Sequence, residues 1–162
     1  MNNSKTFKVT TPSEREIAVT RVFDAPRQLV FDAYTKCDLL KRWLSGLDGW
    51  SLAVCEMDLR PGGKYRWVWR NPEEKEMGMG GVIREVAAPE RLVFTEKFDE
   101  AWYPGESVNT LVLVEQGGKT TLTQTMRYES REARDIALKS GIDGMAMSYD
   151  RLDGIFASMT AK

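Results

Sequence analysis

From residue 50 to residue 128 the chain alternates apolar and polar positions in short runs. The runs cover 50–59, 64–70, 76–86, 91–98, 107–115 and 119–127. Between them stand RPGG (60–63), NPEE (71–74), APE (88–90), PGE (104–106) and QGG (116–118), all rich in turn-forming residues. Alternation of period two is the pattern of a half-buried strand, and links this short join neighbouring strands antiparallel. An earlier run, EIAVTRVF (16–23), sets Ile17, Val19 and Arg21 against Ala18, Thr20 and Val22, and reads as a further strand.

Between these strands the period changes. Pro26 suits a first helical turn, where its missing N–H costs nothing. Leu29, Val30 and Ala33 then recur at helical spacing, and Leu39, Leu40 and Trp43 mark a second short helix joined to the first near Thr35–Lys36. The last element reads as a long helix. Ser130 is a good N-cap and Glu132 lies in the first turn, where negative charge is favoured. Gly141 and Gly144 weaken helical propensity, so a break is expected near Ser140–Gly141. Beyond it Ile142, Met145, Tyr149, Leu152, Phe156 and Met159 form one apolar stripe.

The expected architecture is α+β: seven antiparallel strands, two short helices after the first, and a long C-terminal helix. One amphipathic helix covers one face of such a sheet only if the sheet curls around it. Gly78, Gly80 and Gly81 permit the bend, and a curled sheet leaves a gap toward one end. Residues 1–13 are polar and read as a flexible tail, with 14–162 as a single domain.

Composition narrows the chemistry. The net charge is −1, too little positive charge for a nucleic-acid partner. There is no histidine, which removes His-based triads and the commonest metal ligand. Cys37 and Cys55 do not make a zinc site, and are expected to be reduced and packed. With no apolar run long enough to span a membrane and no hydrophobic signal core at the start, the expectation is a cytoplasmic protein that needs no membrane, metal or cofactor.

The stretch KYRWVWR (64–70) bears most on function. On a strand, Tyr65, Trp67 and Trp69 share one face, while Lys64, Arg66, Val68 and Arg70 share the other. A base-stacking sheet would put rings and cations on the same face. The rings therefore either fill a core or line a cavity. Met77, Met79 and Ile83 share a face, with Met126 and Met145 as further pliable neighbours. Glu85 follows the phase of Met79 and Ile83, and Glu96 that of Leu92 and Phe94. Either could be an inward carboxylate with a raised pKa, or be turned to solvent by a bulge or strand end. GMGG is followed by more strand rather than a helix, so it is no phosphate loop. Trp102 and Tyr103 either gate a cavity or cap a sheet edge. NPEEKE reads as a solvated turn.

The segments VTRVFDAPRQLVFDAYT, LKRWL, DLRPGGKYRW, GGVIREVAAPERLVFTEKFD, EQGGKTTLTQTMRY and MSYDRLDGI, in that order, resemble the SRPBCC domains of the START and birch-pollen-allergen superfamily. Within it they are most similar to the bacterial branch akin to the C-terminal domain of the activator of heat-shock chaperone ATPase. The resemblance implies a helix-grip fold, a curved sheet gripping a C-terminal helix with a cavity between them. It also implies relatives that bind apolar molecules, some of them cyclases. Leu44, Ser45 and Gly46, Met79 and Gly80, and Met145 depart from the branch pattern by replacing rings or a His with smaller or more pliable groups.

The leading expectation is a binder of a small hydrophobic or aromatic molecule. Its expected lining is Trp43, Tyr65, Trp67, Trp69, Met79, Ile83, Phe94, Trp102, Met126, Met145, Tyr149 and Leu152. A cyclase- or lyase-like enzyme using Glu85 or Glu96, and a protein-interaction module, are the alternatives. Self-association into a homodimer is left open.

Overall fold

A computed structural model describes residues 4–44 and 49–160. Residues 1–3, 161–162, and Ser45 and Gly46 noted above lie outside them. The described chain opens with a 3-10 turn (Ser4–Thr6) and a short strand, β1 (Lys8–Thr10), which pairs antiparallel with β2 (Glu16–Phe23). The sheet therefore has eight strands rather than the expected seven. The side chains of β1 are exposed, so no apolar alternation marks it; backbone pairing with β2 and the neighbouring Phe7, whose ring meets Tyr149, hold the segment read as a tail.

The remaining strands are β3 (Ser51–Met57), β4 (Lys64–Arg70), β5 (Glu76–Ala87), β6 (Arg91–Phe98), β7 (Ser107–Gln116) and β8 (Lys119–Arg127). They match the alternating runs to within a residue or two. All neighbours are antiparallel, in the order β1-β2-β8-β7-β6-β5-β4-β3, so β2 closes onto β8 while the rest form a meander.

Gly81 lies at a tight crossing of this sheet. Tyr65 on β4 donates its hydroxyl across β5 to the Thr95 carbonyl on β6, at 2.5 Å. A Cβ at Gly81 would sit 2.0 Å from that oxygen, so only glycine fits against the Thr95 carbonyl here. A little further on, the β5–β6 register shifts between Ile83 and Glu85. Such a bulge reverses which side chains face inward.

The helices are α1 (Arg27–Thr35), α2 (Cys37–Trp43), α3 (Arg131–Ser140) and α4 (Ile142–Thr160). Ser130 caps α3, its hydroxyl accepting the Ala133 N–H at 3.1 Å. The expected break falls at Gly141, where the Trp102 ring lies 2.9 Å from the position a Cβ would take. Cys37 and Cys55 are not reduced but joined in a disulfide, their Cα atoms 5.7 Å apart. Packing of α2 along β3 brings them together, which no spacing in the sequence reveals.

The last helix is held to the sheet by apolar and ionic contacts. Phe23 of β2 meets Tyr149 and Phe156 of α4 edge-on, with ring centroids 5.8 and 5.6 Å apart. Leu152 is buried in the same core. Arg21 shares the inward face of β2 with Val19 and Phe23, and is 1% exposed. Its guanidinium meets Asp150 at 2.6 Å and Asp153 at 3.4 Å. Both aspartates lie off the apolar stripe of α4, so the ion pairs fix the rotation of the helix about its axis.

Removing one partner of a buried ion pair leaves the other charge uncompensated. Arg21→Met keeps most of the volume but removes the guanidinium that Asp150 and Asp153 share, and is expected to lower stability by about 3 kcal/mol. Urea denaturation checks this, and an unchanged midpoint would show that the ion pairs do not hold α4.

Candidate functional site

Between strands β4, β5 and β6 and the first turns of α4 lies a cavity of about 650 Å³. That is within the range of small-molecule sites. Trp67 and Trp69 of β4, Met79 of β5 and Phe94 of β6 form its sheet wall. Met126 of β8 adds to the sheet wall, and Trp43, Met145 and Tyr149 close the helical side. Trp102 stands at the rim, 37% exposed, beside Trp50 and Met77. Three expected lining residues lie elsewhere. Tyr65 and Ile83 sit behind the Trp67 and Phe94 rings, around a separate gap of about 10 Å³. Leu152 belongs to the core under α4.

The rings are fixed by contacts with one another and with backbone. Tyr65, Trp67 and Trp69 follow one another along β4, with centroids 5.0 and 6.3 Å apart. Trp69 stacks on Phe98, which touches Trp102 and Tyr103. Trp69 Nε1 donates to the Leu44 carbonyl at 2.8 Å, and Trp43 Nε1 to that of Ala33 at 2.9 Å. Trp67 Nε1 has no acceptor among the described residues and no contact with open space, so it is shut off from the cavity. The cations of β4 stay outside: Arg66 pairs with Asp99 and Arg70 with Glu76.

A polar belt crosses this apolar surface. Tyr34 of α1 and Tyr149 of α4 meet hydroxyl to hydroxyl at 2.9 Å, and Tyr149 donates to Gln124 Oε1 at 3.1 Å. Gln124 Nε2 donates to Asn109 Oδ1 at 3.0 Å, and Asn109 Nδ2 to Ser107 Oγ at 3.0 Å. Ser107 Oγ and Asn109 Nδ2 each reach Glu96 Oε2 at 3.4 Å, and Tyr103 OH lies 3.2 Å from Ser107 Oγ. Sheet register assembles the belt, with Glu96 opposite Ser107 on β7 and Asn109 opposite Met126 on β8.

The belt runs one way. Its hydroxyl and amide hydrogens point toward Glu96, the terminal acceptor. Burial pushes the Glu96 carboxyl up to about 7, against the opposing pull of the Ser107 and Asn109 bonds. Burial, followed by the charge of Glu96, raises the phenols of Tyr65, Tyr103 and Tyr128, which stay protonated as donors.

The two candidate carboxylates part company here. Glu96 lines the cavity. Glu85 lies outside, paired with Arg91 at 2.5 Å, because the bulge after Ile83 turns it to solvent and brings Val86 into phase with Leu92. Tyr103 is buried in the belt, while its neighbour Trp102 forms the rim. Tyr34, Ser107, Asn109 and Gln124 were not read from the sequence. Their signal was polar residues in inward phase. β7 reads Ser107 and Asn109 before Leu111 and Leu113, and β8 reads Gln124 after Leu122.

Comparison with known proteins locates the chain. Residues 24–157 match the family model for Activator of Hsp90 ATPase homolog 1-like protein. A crystal structure of a Rhodobacter sphaeroides protein is 30% identical, with a TM-score of 0.89, over 94% of this chain and 99% of that one. A Nitrosomonas europaea protein is 25% identical, with a TM-score of 0.81, over 93% of this chain and all of that one (100%). The solution structure of a protein from Aeromonas hydrophila, described as AHSA1-like, shares the fold at 16% identity, with a TM-score of 0.72 over 86% of this chain and 93% of that one. No curated protein sequence matches.

The upward shift of Glu96 has a sign that can be tested. Its folded value, about 7, lies above the ordinary 4.5, so folding favours the protonated acid. The stability this contributes is complete below pH ~4.5 and is lost as pH rises to ~7, by about 3 kcal/mol in total. Glu96→Gln removes that dependence. Its stability relative to wild type should grow with pH across this window and level off above it, as followed by thermal or urea unfolding.

Proposed function

The chain belongs to the Activator of Hsp90 ATPase homolog 1-like family, and on that premise we propose that it binds a small apolar or aromatic molecule in the chamber between the sheet and α4. The observation that carries this reading is the chamber itself. About 650 Å³ is left open in an interior whose neighbouring rings are packed edge-to-face. Desolvation of the guest against Trp67, Trp69, Phe94 and Met79 supplies the affinity, and the belt orients it. Met145 of α4 and Met126 of β8 adapt to its shape. Trp102, Trp50 and Met77 make an apolar rim through which it enters.

A second reading, an enzyme of cyclase or lyase type, is favoured by Glu96 alone. A carboxyl with a pKa of about 7 inside an apolar chamber is matched to general-base work near neutrality. On that reading Glu96→Gln keeps binding and abolishes turnover. A protein-interaction module would instead ignore changes in the chamber and respond to changes on the surface.

Gly144 gives a clean test. It lines the chamber in the first turn of α4, and a Cβ there meets nothing within 4 Å. Gly144→Phe is expected to put a ring in the opening and to weaken binding of the neutral dye Nile red by about tenfold or more. The same change should raise helix stability by about 0.5 kcal/mol. Dye fluorescence and quenching of the wall tryptophans follow the first effect, and thermal unfolding the second. A dye that binds wild type and variant equally well sits elsewhere, and the chamber reading then fails.

A further inference from the structure

We propose that the chamber takes a protonated amine carried on an aromatic or apolar body, with its ammonium group against Glu96. This deepens the binding reading above and rests on it. Three observations carry it.

The first is an unused acceptor. Glu96 receives two long contacts, both on Oε2 at 3.4 Å, while Oε1 makes no hydrogen bond among the described residues. The belt ends on this carboxylate with its donors directed inward, so what it lacks is one more donor. An ammonium group supplies that donor, together with the opposite charge.

The second is charge. Among the described residues no Lys or Arg pairs with Glu96. The charged groups that line the chamber and its rim are Glu76, Glu96, Glu100 and Lys75; with Glu76 already paired to Arg70, Glu96 and Glu100 still outnumber Lys75. The titratable groups facing Glu96 are the phenols of Tyr65, Tyr103 and Tyr128, which burial keeps neutral. Glu106 is at the surface, 3.9 Å from Arg84. A buried carboxylate with no cation is costly, and a cationic guest relieves that cost where a neutral one cannot.

The third is the rings. Phe94, Trp67 and Trp69 share the chamber with Glu96, and Tyr103 and Tyr128 border it. Aromatic faces around a desolvated cation attract it, and an ammonium enclosed by rings with one carboxylate is a stable arrangement. The separation built into β4, with Arg66 and Arg70 outside and indoles inside, leaves these ring faces without a protein cation.

The experiment compares 2-(1-naphthyl)ethylamine with its neutral counterpart 2-(1-naphthyl)ethanol by isothermal titration calorimetry. Near pH ~8 the amine is cationic and Glu96 ionised. Wild type is expected to bind the amine about tenfold or more tightly than the alcohol. Glu96→Gln is expected to bring the two to within about threefold, with the alcohol little changed. In wild type the amine should also lose affinity as pH falls below ~7, while the alcohol does not, which gives the same answer without any variant. Preference for the alcohol, or an amine preference that persists in Glu96→Gln, overturns the assignment while leaving the chamber reading intact. Failure of both compounds to bind sinks the two together.

Discussion

One helix cannot cover the concave face of an eight-stranded sheet, and the rest of the molecule follows from that mismatch. Eight strands at the usual spacing span roughly 34 Å, whereas a helix with its side chains is about 10 Å across. α4 lies against the β2 and β8 side, where Phe23 and the buried Arg21 hold it. α1 and α2 cover part of the remainder. Over β4, β5 and β6 no backbone element lies close, and long side chains only partly fill the space. The chamber is therefore a consequence of the architecture, and its chemistry depends on which side chains the pleat turns into it.

Two kinds of surface meet there. The rings of β4 and β6 give an apolar wall whose alternation keeps cations on the other face. Across β6, β7 and β8 the polar inward positions step diagonally through the register, with Gln124 opposite Leu111, Asn109 opposite Phe94, and Ser107 opposite Glu96. The result is a connected row of hydroxyls and amides rather than scattered polar atoms. Buried polar groups of this kind are tolerated only when they are paired with one another. The row is paired throughout except at Glu96, where desolvation outweighs two long hydrogen bonds and lifts the pKa. The least satisfied group in the belt is thus also the one that faces the open space.

The rim has its own logic. Trp102 sits at the break between α3 and α4 because Gly141 has no side chain to displace it. The disulfide joins the start of α2 to β3, and so brackets the stretch of chain that carries Leu44 and Trp50 to the opening. Both devices position apolar side chains around the entrance without filling the chamber behind it.

Much of this was legible in the sequence by itself. Period-two alternation with turn residues between runs placed β2 through β8 almost to the residue, because each strand has one dry face and one wet face. The same rule put Tyr65, Trp67 and Trp69 together and their cations opposite, and the helical stripe with Gly141 placed α4 and its break. Only the tertiary structure decided what depends on other strands. A bulge against β6 sent Glu85 outward, while regular pairing with β7 kept Glu96 inward, although both had read as in phase. The depth of the sheet left Tyr65 and Ile83 outside the chamber that Trp67 lines, and packing of α2 on β3 brought Cys37 to Cys55. β1, too polar to show a pattern, was recruited by a free sheet edge. Local periodicity records which face a residue takes on its own strand. Where that face leads, and what it meets there, is set by register, curvature and long-range packing, which single-strand patterns do not encode.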